Sequence, residues 1–111
     1  MNEFEKEVIN KIANLDNILL WTKNSERSGF CLNGYINHYP DFILITKKGK
    51  KIILETKGDH LNNPDTELKI ELGRQWASKA GDEFRYFLVF KEAEVKYAFK
   101  VEKAIELIKD L

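Results

Sequence analysis

Cysteine is nearly absent from this chain, and the absence narrows its chemistry. Cys31 stands alone among 111 residues, which excludes an internal disulfide and any cysteine-built zinc site. Net charge is missing too. Eighteen basic and 18 acidic residues cancel, so coating DNA by bulk charge is disfavoured, although a local basic surface remains compatible. No apolar run approaches the roughly 20 residues of a membrane span. There is no internal repeat, no low-complexity segment and no Pro/Gly/Ser-rich linker. The length fits one domain over residues 1–111. The opening MNEFEKEV is too charged for a secretory signal, which points to the cytoplasm.

What the chain does have is apolar pattern: 43% hydrophobic and 12% aromatic residues, enough for a folded core. Phe4, Val8, Ile12 and Leu15 recur at helical spacing and predict a helix over about 2–14. ILLWT (18–22) reads as a short strand, and SERSGFCLNG (25–34) as an irregular connection. DFILIT (41–46) and KIILETK (51–57) are apolar on both faces, the pattern of central strands covered by helices. A helix follows GDHLNNPD, with Asn63 as cap, Pro64 in the first turn, and Asp65 and Glu67 at the positive end of its dipole. Leu68, Leu72, Trp76, Ala77 and Ala80 form its expected buried stripe, and Gly81 ends it. FRYFLVF (84–90) is a core strand, VKYAFKV (95–101) an edge strand, and EKAIELIKDL a closing helix. The expected fold class is α/β: a mixed central sheet flanked by helices, in the order α-β-β-β-α-β.

Charges interrupt this pattern at one place. Asp41 opens one apolar strand, while Glu55 and Lys57 close the next. Their geometry depends on the turn TKKGK. A two-residue loop would set Asp41 and Glu55 on opposite faces. A three-residue loop, Lys47-Lys48-Gly49, puts glycine where a type I turn plus bulge needs a left-handed residue. The second register is preferred. It pairs Thr46 with Lys50, Leu44 with Ile52, Ile43 with Ile53 and Phe42 with Leu54, and so sets Asp41 across from Glu55. Two facing carboxylates repel unless something lies between them, and a hard divalent cation such as Mg²⁺ fits that role. On that reasoning, Asp41→Ala relieves repulsion and leaves the metal-free fold no less stable. The plainer alternative makes Asp41 a strand cap, and Glu55 and Lys57 a surface ion pair.

At these residues the chain resembles the PD-(D/E)xK nuclease superfamily, with Pro40-Asp41 and Glu55-Thr56-Lys57 as its motif. The element order resembles the restriction-endonuclease-like core. Over Trp21 to Phe90, "GFCLNGYINHYPDFILITKKGK", "ILETKGDHLNN" and "KIELGRQWA" resemble the nuclease domain at the C-terminus of type III restriction enzyme Res subunits and related helicase-nucleases. The resemblance implies a DNA endonuclease of prokaryotic or phage cytoplasm. Asp41 and Glu55 would bind Mg²⁺, with Mn²⁺ as a substitute. The Thr56 carbonyl would join them, and Lys57 would be the catalytic lysine. It further implies an ATP-driven helicase motor and a methyltransferase-specificity subunit as partners. With no GxxxxGK[ST] loop the chain is not the motor itself, so an excised domain or a small stand-alone relative is expected.

Further candidates are weaker. "EKEVINKI" resembles a stretch of archaeal Holliday-junction resolvases and implies Glu5 as a further metal-associated residue, with Glu3 and Glu7 as rivals and a solvated acidic helix start as the plain alternative. Lys69, Asn24 and Arg27 are candidate DNA-backbone contacts, each competing with an ordinary solvated role. His38 and His60 flank the motif; among oxygen ligands they fit a surface or supporting role better than zinc. Two other functions stay open: a catalytically inactive nucleic-acid binding module of the same fold, and a protein-docking domain. Both leave the carboxylate pair without a purpose.

Overall fold

The computed structural model describes residues 1–25, 29–33, 37–58 and 64–111. Helix α1 (Glu3–Ala13) begins at Asn2, whose side-chain oxygen accepts the Glu5 N–H at 2.8 Å. Such a cap satisfies a donor that the first helical turn leaves without a partner. Strand β1 (Ile18–Lys23) follows, then two short strands, β2 (Leu32–Asn33) and β3 (Asn37–His38). Strands β4 (Phe42–Thr46) and β5 (Lys51–Lys57) form the hairpin, α2 (Pro64–Ala80) crosses over, and β6 (Phe84–Phe90), β7 (Phe99–Lys100) and α3 (Val101–Ile108) complete the chain. Among the described residues no helix is long and apolar enough to cross a membrane.

The fold is α/β, with a mixed five-stranded sheet among the described residues in the order β1-β4-β5-β6-β7. Strands β1 and β5 run antiparallel to β4, while β6 runs parallel to β5. The hairpin takes the three-residue turn. Gly49 has φ 90°, Thr46 N–H donates to Lys50 O at 2.9 Å, and the ladder pairs Phe42 with Leu54, Ile43 with Ile53 and Leu44 with Ile52.

Strand β5 lies at the centre of the sheet, and its alternation divides the core. Ile52 and Leu54, with Phe42 and Leu44 of β4, pack among Val8 and Ile12 of α1 and Ala104 and Ile108 of α3. On the other side α2 packs Ile70 against Leu88 and Phe90 of β6. Each buried Val, Leu, Ile or Phe side chain among them contributes about 1.5–3 kcal/mol. Glu55, inside β5, is therefore placed in this interior by the strand itself.

Three expectations are corrected. The α2 stripe is Thr66, Ile70 and Gly73, while Leu68 is 40% exposed. The Tyr86 ring occupies the space where a Gly73 Cβ would project, so helix and sheet approach through a residue that hydropathy does not count. The strand expected over 95–101 shrinks to Phe99–Lys100. A turn replaces its start, closed by Ala98 N–H to Val95 O at 3.0 Å with Tyr97 at φ 65°. The connection over 25–34 also contains β2, which pairs with β3 and buries Leu32. The Asn63 cap lies outside the described residues.

Candidate active site

The charged residues of the motif meet where β4 begins and β5 ends. Continuing the ladder one step beyond Phe42–Leu54 sets Asp41 across from Glu55. Asp41 Oδ2 accepts two hydrogen bonds from Thr56, from its N–H and from its hydroxyl, each 2.8 Å. Asp41 Oδ1 lies 3.5 Å from Lys23 Nζ. Asp41 is thus a strand-end cap as well as a charge of the site.

Glu55 is no surface ion pair, because it is only 4% exposed. Its Oε2 gathers three nitrogens: Lys69 Nζ at 3.6 Å, Lys57 Nζ at 3.9 Å and His38 Nδ1 at 3.9 Å. Among the described residues its Oε1 is buried without a hydrogen-bond partner. Burial, and after it the Asp41 charge, push the Glu55 carboxyl well above its ordinary range. Burial and then Lys69 lower the Lys57 ammonium. A cation between the carboxylates would reverse the effect on Glu55, since positive charge favours the ionised form.

His38 is enclosed beside this pair. Its Nε2 lies 2.7 Å from the Tyr86 hydroxyl, and its Nδ1 is buried without a hydrogen-bond partner among the described residues. Burial first, then the charges of Lys69 and Lys57, lower its pKa to about 4. At neutral pH it is an uncharged imidazole.

Most residues expected from the sequence converge here. Lys69 reaches Glu55 from α2 and also pairs with Asp65 at 3.7 Å. Among the first-helix glutamates, Glu5 turns toward the site: its Oε2 lies 3.9 Å from the same Lys23 that meets Asp41. Glu3 and Glu7 pair instead with Lys6 and Lys11 along the helix. Asn24 is spent on its own loop, donating to Phe30 O at 2.8 Å and accepting Phe30 N–H at 2.9 Å. It is buried, at 7% exposure. Arg27 and His60 lie outside the described residues.

Sequence reasoning missed Lys23 and Tyr86. Lys23 depends on the β1–β4 register, which no turn residue announces. Tyr86 carried a signal, because a glycine within a helix, Gly73, marks a close approach.

Among the described residues no three His, Cys, Asp or Glu side chains form a group able to hold a metal alone. The available set is two carboxylates, one with an oxygen lacking a partner. That set suits Mg²⁺, which keeps several waters and takes one or two carboxylates plus substrate phosphate. Comparison of this chain with protein-family models, curated proteins and solved structures finds no match.

Proposed function

We propose that this chain is a Mg²⁺-dependent endonuclease domain that hydrolyses phosphodiester bonds in DNA. One observation carries the reading. Glu55 is buried at the end of a central strand, next to Asp41, with one oxygen lacking a partner and two lysines at the other. Asp41 has a structural use as a cap, but a buried Glu55 facing it adds repulsion and desolvation cost that a purely structural site would avoid.

Asp41 and Glu55 would hold the ion, with the Thr56 carbonyl beside them, and Glu5 would complete its water shell. When bound, the metal polarises the phosphate and makes a water acidic enough to attack near neutral pH. The residues of the chain do the rest. Asp41 is fixed by Thr56, so its carboxylate needs no reorganisation. Lys57, 3.9 Å from Glu55 Oε2, would orient the attacking water or meet the charge that grows on the phosphate. Arginine would serve poorly there, because it cannot give up a proton. Lys69 supplies a second positive group for the phosphate backbone.

With no net charge, the domain binds DNA weakly by itself and loses that binding as salt rises. The reading therefore includes partners: an ATP-driven motor and a methyltransferase-specificity subunit, as in type III restriction or helicase-nuclease systems. The test is a supercoiled plasmid incubated with Mg²⁺ or with chelator. Wild type should cut it only with Mg²⁺, and Lys57→Ala should not cut it. DNA binding without cleavage under every condition would favour the inactive binding module.

A further inference from the structure

We propose that His38, held by Tyr86, is a positioning residue for Glu55: it anchors Oε2 and leaves Oε1 facing the metal position. The proposal rests on the metal-site reading above and adds to it the group that aims the ligand.

The two oxygens of Glu55 are unequal. His38, Lys57 and Lys69 all collect at Oε2, within 3.6–3.9 Å, whereas Oε1 is buried with no hydrogen-bond partner among the described residues. Of the three, only His38 is rigid. Its side chain is fully enclosed, while the lysines sit on long flexible stems and are about one-sixth to one-fifth exposed.

Its orientation follows from hydrogen-bond arithmetic. A neutral imidazole carries one N–H and one acceptor nitrogen. The Tyr86 hydroxyl, 2.7 Å from Nε2, can donate to that nitrogen. The single N–H then sits on Nδ1, facing Glu55. Once a cation has ionised Glu55, the opposite tautomer would turn a lone pair toward a carboxylate. Among the described residues Nδ1 is otherwise a buried polar atom with no hydrogen-bond partner, which a purely structural histidine would avoid. The 3.9 Å gap to Oε2 is slightly too long for a hydrogen bond, and such bonds commonly tighten when the ligand binds. Tyr86 is itself fixed, because its ring fills the place beside Gly73 where any other residue would carry a Cβ. The chain of contact runs Gly73, Tyr86, His38, Glu55, and partners of this kind commonly tune metal affinity 10- to 100-fold.

The test measures Mn²⁺ binding to the 111-residue protein, read from the loss of the free-ion EPR signal, beside metal-free thermal melts. Tyr86→Phe, which removes only the hydroxyl, should weaken Mn²⁺ about 10-fold while the protein stays folded. His38→Leu should weaken it at least as much. His38→Asn, which keeps an N–H near the Nδ1 position, should recover part of the affinity. If the variants melt lower yet bind Mn²⁺ as wild type does, His38 is merely structural and the proposal fails alone. If wild type itself binds no Mn²⁺, the metal-site reading fails and the proposal with it.

Discussion

The backbone N–H and the hydroxyl of Thr56 end on the same oxygen of Asp41, each at 2.8 Å. Asp41 therefore ties the start of β4 to the end of β5, and the expectation drawn from repulsion alone is incomplete. Thr56 is 7% exposed, so losing its acceptor leaves two buried donors without a partner. Asp41→Ala should destabilise the metal-free protein by about 1–3 kcal/mol. Asp41→Asn keeps an acceptor oxygen and should lose less. Urea unfolding of both variants decides the point; an Asp41→Ala protein as stable as wild type would show that repulsion outweighs the cap.

The buried carboxyl of Glu55 should give the metal-free protein a distinctive pH dependence. Burial and Asp41 raise it well above its ordinary value of 4.5. The folded state thus holds this proton more tightly than the unfolded state. The stability it contributes is complete below the ordinary value and declines as pH rises toward the raised one. His38 acts in the opposite sense at lower pH. Burial lowers it from 6.5 to about 4, so its contribution is lost as pH falls through that interval. Glu55→Gln should therefore lose less stability than wild type between about pH 5 and 8. Mg²⁺ should bind wild type more tightly as pH rises, because the ion displaces a proton. Parallel melting curves for the two proteins across that range would remove the buried proton from the account.

Gly73 should tolerate no side chain. A Cβ there would overlap the Tyr86 ring, which is partly buried against the α2 side of the sheet. Gly73→Ala should destabilise the fold by about 1–3 kcal/mol through overpacking, despite alanine's better helix propensity. Chemical denaturation measures it. A stabilised Gly73→Ala would mean that helix propensity outweighs the clash.

The parts of the structure that the sequence disclosed share a cause. The hairpin register was legible because Gly49, at φ 90°, marks the turn, and one turn sets every pair along two strands. Asp41, Glu55 and Lys57 were legible because charge inside an apolar strand stands out. The phase of α2 was not, because Thr66 and Gly73 face the sheet without counting as apolar. The segment before β7 misleads for a related reason: 95–98 alternates like a strand, but Tyr97 turns to positive φ with the Arg74 guanidinium 3.4 Å from its ring centre. Lys23 was hidden because its place beside Asp41 comes from long-range pairing of β1 with β4.

The most direct test of the carboxylate pair compares wild type with Asp41→Asn, matched for folding, in Mg²⁺-dependent cleavage of supercoiled plasmid. Asp41→Asn retains an oxygen for Thr56 and removes only the charge. The account predicts that wild type converts the plasmid to open or linear forms with Mg²⁺ and not with chelator. It predicts no conversion above background by folded Asp41→Asn. Equal cleavage by the two proteins would contradict the account, because the charge at the centre of the proposed site would then have no part in the reaction.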